Sequence, residues 1–571
     1  MPRPACLTRR RVRATHVVAQ LALLVSVGTA APREAAAQTS PAPHTTLSSM
    51  EQHYQRLRYW DDQRRLMSVL GQDTTPAGMA SASVADSLQA EQRQLRTDLA
   101  MAPTPPSGSA DAVALAAIRE AWITGLDQAG STDGHPDSAR RLCSDPTVDP
   151  SPVGDRLRRL TEQVLSCYAD AANQIVVGGD TLNRLGVLGT LAHEESSIRR
   201  HQLFLALVPV WRSVNGDNRT GSPYRTLLKL RRDAWGRSTS PIAAKAPAFG
   251  LTTLAMEAWL LRALTAWRDA TPDSLLEPWD WYYSVGEASR HFGSRLPDVS
   301  DIRQVNDAYY RSLGADPVRL RVGYDLLARP GKYPVAFTDI GARGQWTDSS
   351  FTPNQPWVFT AYLTGGFDNL SELLHETGHA IHIAGIRTRP ALLDWPDNDT
   401  FTEALADVPA LELFEPAWQQ RFLGDSITTH ASLRAKYAGI VFDMAWALFE
   451  LRVHSRPGVD PNAVWTNITR DYLHIRPHPE WSWWAMRGQL VDAPGYLINY
   501  ALGAFIAADI RARVLARRGP FSAADSTLYP WLSTEIYRFG RERTSRAVLE
   551  SFLGRSLRPE ALLADLSRMG K

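Results

Sequence analysis

The sequence predicts a mainly α-helical protein, and two observations carry that prediction. Residues 45–70, 85–100, 110–130, 154–175, 181–213, 223–234 and 249–269 repeat apolar side chains with the 3.6-residue period of a helix, between breaks rich in Pro, Gly and Ser. Against these, Val335–Ile340 and Trp357–Leu363 are the convincing strands, joined through a connection rich in Gly, Asp, Ser and Pro. The chain has 571 residues, enough for one large core or for two lobes. It contains no internal repeat and no heptad run.

Arg3, Arg9, Arg10, Arg11 and Arg13 precede an apolar run from Val17 to Ala31, broken by Gln20. Ala35, Ala36 and Ala37 follow as a small-residue cleavage site. Residues 1–37 are therefore expected to be a bacterial-type signal peptide, with export to the periplasm or the exterior. Thr8-Arg9-Arg10-Arg11 hints at a twin-arginine route. The apolar run is short of a membrane span, and no later segment is long enough, so no stable membrane insertion is expected. Removing residues 1–37 takes six arginines and one glutamate from totals of 62 basic and 60 acidic residues, leaving a net charge of −3. That balance gives no electrostatic footprint for nucleic acid. Residues 38–150 are expected to form a helical region to which the sequence gives no role, and residues 151–571 a second helical region that carries the one chemistry-bearing motif. Thr104–Ser109 and Asp145–Pro152 are loops. Cys143 and Cys167 form either one disulfide or two separate thiols. The tryptophans Trp279, Trp281, Trp481, Trp483 and Trp484 are expected to be mostly core.

One motif carries chemistry. His375-Glu376-Thr377-Gly378-His379 matches H-E-x-x-H. On a helix, positions i and i+4 share a face, so both imidazoles can address one metal ion. Glu376, one residue round, can reach a water beside that ion without ligating it. Asn369 and Glu372 read as a cap and its capping-box partner, and Gly385 as the stop. A zinc site needs a third protein ligand. Glu403 offers one, and Asp407, four residues on, can hold a ligand histidine by its other nitrogen. A competing reading exists, in which Thr400 and Glu403 form a capping box of their own helix. Pro409 predicts a kink or an early stop. The expected cofactor is one Zn2+ per chain, held by His375, His379 and Glu403.

His375–His382 (HETGHAIH) followed by Phe401–Val408 (FTEALADV) resembles the zinc core of the gluzincin peptidases. Of three related families, the thimet oligopeptidases with oligoendopeptidase F, the angiotensin-converting enzymes and the thermostable carboxypeptidases, the resemblance is closest to the first, with features of the converting enzymes. Arg329–Phe337, Pro356–Tyr362 and Pro494–Gly503 are similar to three further segments of the oligopeptidases, and Pro278-Trp279-Asp280 to a structural element. The resemblance covers roughly residues 275–515. It implies two helical lobes flanking a deep channel, with a small β-sheet beside the zinc helix. It implies hydrolysis of short peptides, with Glu376 as general base and Tyr500 and Tyr496 as phenols that stabilise the oxyanion. It also implies that His382 supports a metal ligand or has a structural role. The family's usual histidine before the tyrosines is missing from Gly488–Asp492, where Gln489, or His478 from upstream, could replace it. A carboxypeptidase or dipeptidyl carboxypeptidase is the alternative, with Lys332 or Arg487 capturing a C-terminal carboxylate. A non-catalytic peptide- or metal-binding protein is the more distant one. Trp357–Leu363 is expected either to pair with substrate backbone or to be purely structural.

Overall fold

The structure, a computed structural model, describes residues 46–70, 78–127, 151–236, 240–272, 274–329, 332, 335–347 and 350–570. All belong to one unit, Thr45–Lys571. The expected signal peptide and Cys143 lie outside the described residues. Cys167 is disulfide-bonded.

Helices form where the apolar period predicts them. α1 spans Leu47–Val69, α2 Gly78–Ala100 and α3 Ala110–Ala121. The helix expected over 154–175 runs Val153–Asn173, that over 223–234 runs Pro223–Trp235, and that over 249–269 runs Thr253–Ala270. The single helix expected over 181–213 is instead three: Arg184–His193, Ser197–Leu205 and Val208–Asn215. Local chemistry explains the division. Asn183 and Ser196 each cap a new start by accepting from a backbone N–H, and Pro209 sits in the first turn of the third helix. Ahead of them, β1 (Ile175–Val177) and β2 (Asp180–Leu182) form a hairpin around Gly178 and Gly179, whose φ values are 64° and 98°. A two-residue turn with positive φ at both positions favours Gly-Gly.

The remaining strands are β3 (Gly323–Leu327), β4 (Phe337–Ala342), β5 (Gln345–Trp346), β6 (Phe351–Thr352) and β7 (Gln355–Tyr362). β5 and β6 pair with each other, and the larger sheet has the order β3-β7-β4. β7 runs parallel to β3 and antiparallel to β4, with Thr338 opposite Val358. The predicted strand Trp357–Leu363 is therefore central. Both of its edges are already paired, which removes it as a surface for substrate-strand addition; β4 is an outer strand of this sheet.

One core runs from Leu160 to Met569, and Trp281, Trp483 and Trp484 are buried in it as expected. α1–α3 gather a second, smaller core that borrows Ala391 and Leu392. Ion pairs join these helices to the rest: Glu51–Arg389, Arg58–Asp394, Asp62–Arg343, Arg65–Asp339 and Glu120–Arg541. Burial opposes ionisation of Asp394, yet Arg343 and Arg58 hold its carboxyl down at about 2.

Candidate metal centre

The histidine helix runs Phe367–Gly385. It begins two residues before Asn369, with Gly366 at φ 109° as its cap. The expected cap at Asn369 is thus displaced; that side chain donates back to the Thr364 and Gly365 carbonyls instead. The stop at Gly385 is where the sequence places it. The Glu403 helix, Asp399–Ala410, is capped by Asn398, which accepts from the Thr400 N–H. This excludes the capping-box reading of Thr400 and Glu403. Thr400 lies inside the helix, fully buried, and donates to Asn499 Oδ1 at 2.8 Å. Pro409 is followed by one more α-helical residue and then a 3-10 turn, Leu411–Phe414, so the helix ends early as predicted.

Glycines let these helices meet. A Cβ on Gly378 would stand 2.4 Å from the Ala406 carbonyl oxygen, which is backbone and has no room to move. A Cβ on Gly503, in the tyrosine helix Tyr496–Arg518, would stand 3.3 Å from the Thr400 oxygen. Gly378→Ala is therefore expected to cost about 1–3 kcal/mol by overpacking and to lower metal content as the helices part. Thermal melting and metal analysis check both effects.

Packed this way, the helices bring together His375, His379 and Glu403, with ligand atoms all within 4.8 Å of one another. Glu403 Oε2 is 3.4 Å from His375 Nε2 and 3.8 Å from His379 Nε2. Two ligands about 2.1 Å from a tetrahedral ion stand about 3.4 Å apart, so the spacing fits zinc. The donor set, two imidazoles and a carboxylate, fits as well. Burial disfavours the Glu403 carboxylate, but hydrogen bonds and charge from both histidines hold it well below the ordinary range. His375 Nδ1 is 2.8 Å from Asp407 Oδ1, the partner the sequence assigns it. Burial pushes the His375 imidazolium down, and Asp407 leads the carboxylates that more than reverse this. Asp407→Asn is expected to weaken zinc binding about 10–100-fold, read by competition with a chromogenic chelator.

His379 Nδ1 is buried without a hydrogen-bond partner among the described residues. His382 is fully buried between Trp395 and Tyr537, with ring centroids 5.8 and 5.3 Å away. Burial, then His379, lowers its pKa to about 3, so it is neutral at physiological pH and packs as a structural residue. Glu376 is nearly buried, and Thr338 Oγ1 of β4 lies 2.7 Å from its Oε2 and 2.8 Å from its backbone oxygen. Sequence reasoning missed Thr338. The predicted strand Val335–Ile340 contains it, but nothing in a strand pattern says that a hydroxyl reaches a neighbouring helix.

Tyr496 donates to Glu403 Oε1 at 3.3 Å, and its ring meets Tyr500 edge-on with centroids 5.4 Å apart. Burial, then the Glu403 charge, raises both phenol pKa values, so both remain donors. Tyr496 thus sits on Glu403, Tyr500 packs against Tyr496, and Glu376 shares the helix of the two histidines. His478 does not join them. Its ring nitrogens are held by Glu277 and Glu480, each at 2.9 Å, and it stacks on Trp481 at 4.1 Å. Lys332 is engaged on the Asp325 and Leu327 carbonyls and the Asp325 carboxylate, which leaves it no donor for a substrate. Arg487 pairs with Asp443 at 2.6 Å; burial pushes its pKa down, and Asp443, then Tyr500, more than reverse this.

The fold is mainly α, the class that the sequence predicts. Two solved structures share it along nearly their whole length. CHT is 16% identical with a TM-score of 0.53, covering 92% of this chain and 99% of its own. The M32 carboxypeptidase from Deinococcus radiodurans R1 is 15% identical with a TM-score of 0.53, covering 92% and 98%. No protein-family model matches the chain. No curated protein matches it in sequence.

Proposed function

We propose that the protein is an exported zinc-dependent peptidase that hydrolyses short peptides. One observation carries the reading: three ligand atoms at zinc spacing, with Glu376 held beside them by Thr338. His375, His379 and Glu403 would hold one zinc ion per chain. When bound, the ion supplies Lewis acidity that lowers the pKa of a water and polarises a peptide carbonyl. Glu376 takes the water's proton and delivers it to the leaving amine. Tyr500, with Tyr496, donates to the oxygen that gains charge. Asp407 keeps the His375 ring oriented, with Nε2 free for the ion.

The residues of the expected signal peptide support export, and a disulfide at Cys167 suits an oxidising compartment. No helix among the described residues is long and apolar enough to cross a membrane.

A carboxypeptidase mode is the second reading. One observation favours it: Arg487, whose hydrogen bond to Asp443 uses one of its five N–H donors, is the basic candidate left, since Lys332 is fully engaged. The M32 carboxypeptidase that shares the fold acts from a C-terminus by its printed name. Turnover of a peptide with a free C-terminus and of its amide, with and without a zinc chelator, tests both readings. Chelator-sensitive cleavage of both peptides is the expected result for an oligopeptidase. Cleavage of the free acid alone selects the carboxypeptidase, and no turnover of either leaves only a binding protein.

A further inference from the structure

The tyrosine helix begins without a cap of its own. Its N-cap is Gly495, which has no side chain, stands at φ 86°, and has Ile242 Cγ1 3.2 Å from where its Cβ would be. The first N–H groups of a helix need acceptors from elsewhere. Glu450 supplies one from the long helix Thr429–Ser455: its Oε1 accepts from the Gly495 N–H at 2.8 Å. Five residues earlier, Arg231 from helix Pro223–Trp235 donates to the Leu490 and Val491 carbonyls. Glu450 and Arg231 are almost wholly buried, at 0% and 1% exposed. Buried charged groups are costly unless held by hydrogen bonds. Arg231 grips two backbone carbonyls and Glu450 Oε1 grips the Gly495 N–H, while Glu450 Oε2 has no hydrogen-bond partner among the described residues. Together they bracket the short segment that leads into Tyr496.

We propose that Glu450 is the remote cap of the tyrosine helix and, with Arg231, a positioning pair that sets Tyr496 and Tyr500 against the metal centre. This rests on the reading of Tyr500 as oxyanion donor. Burial raises the Glu450 carboxyl to about 7, against the pull of Gly495 N–H, Arg231 and Lys245. A glutamine, which keeps the reach and an acceptor oxygen, therefore mimics it. Aspartate keeps the acid but falls one methylene short of Gly495.

The test compares Glu450→Gln with Glu450→Asp in the zinc-loaded protein, on one cleaved peptide. Glu450→Gln is expected within about threefold of the parent kcat. Glu450→Asp is expected to lower kcat about 10–100-fold, with KM and zinc content unchanged, as a displacement of about 1 Å does. In a Tyr496→Phe/Tyr500→Phe background, itself lowered by at least about 10²–10³-fold, Glu450→Asp should cost no more than about twofold, because the pair acts through these two phenols. Equal losses in both backgrounds, a Glu450→Gln as poor as Glu450→Asp, or a Glu450→Asp like the parent overturns the proposal. Should Glu450→Asp not fold, Gly495→Ala strains the same joint, and an unchanged kcat there overturns it too. If Tyr500→Phe alone leaves kcat unchanged, the phenol reading and this proposal fail together, while chelator-sensitive turnover still stands for the zinc peptidase.

Discussion

His379→Ala is expected to lose its zinc and its turnover together. Zinc in a catalytic site takes three protein ligands and an open position, and this variant leaves two. His375 and Glu403, 3.4 Å apart, are too few to compete with a chelator or with dialysis. His375→Ala should do the same, and it also strips Asp407 of its partner at 2.8 Å. Binding to the native state alone stabilises a protein by RT ln(1 + [L]/Kd), about 4 kcal/mol at a thousandfold excess over Kd. Metal-depleted parent and His379→Ala should therefore melt close together, both below the zinc-loaded parent. Glu403→Gln separates its two sequence readings. Asn398 is the cap, so the helix keeps its cap and the loss falls on zinc affinity. Stoichiometric zinc retained in both histidine variants would sink the metal centre itself.

What the sequence discloses and what it hides divide along a physical line. Local periodicities expose themselves. The histidines at i and i+4, the i, i+4 pair Glu403 and Asp407, and the breaker Pro409 all stand where spacing puts them. Their mutual approach across 28 residues does not follow from spacing. It depends on Gly378 and Gly503, whose missing Cβ atoms admit neighbouring backbone. The hairpin at Gly178-Gly179 has a local signal, a two-glycine turn after a β-branched run, but its three-residue strands are too short to show a period of their own. β3 carried no such signal: Gly323-Tyr324-Asp325 is made a strand by parallel pairing with β7, a contact more than thirty residues away. The same pairing is what denies Trp357–Leu363 its free edge. His478 shows the limit of proximity in sequence. It lies near the tyrosine helix along the chain, yet two carboxylates and a tryptophan hold it elsewhere.

Glu376→Gln should separate binding from chemistry. The amide occupies the same volume and accepts from Thr338, so fold and zinc content should match the parent. It has no basic oxygen to take a proton from water. General base catalysis contributes about 10²–10⁴-fold, and kcat should fall by that amount with KM little changed. The geometry at Thr338 sharpens the expectation. A threonine hydroxyl has one hydrogen and can still accept. Its Oγ1 lies 2.7 Å from Glu376 Oε2 and 2.8 Å from the Glu376 carbonyl oxygen. It can donate to the carboxylate while Glu376 is charged. After proton uptake on the other carboxyl oxygen, Oε2 can still accept from the same hydroxyl. Both protonation states of the base are thus satisfied without any heavy atom moving. Thr338→Val removes this partner and leaves the base intact, so its loss of kcat should be smaller than that of Glu376→Gln, again at full zinc content. Near-parent turnover in Glu376→Gln would assign the proton to another group, and equal losses in the two variants would mean that orientation, not basicity, is what Glu376 contributes.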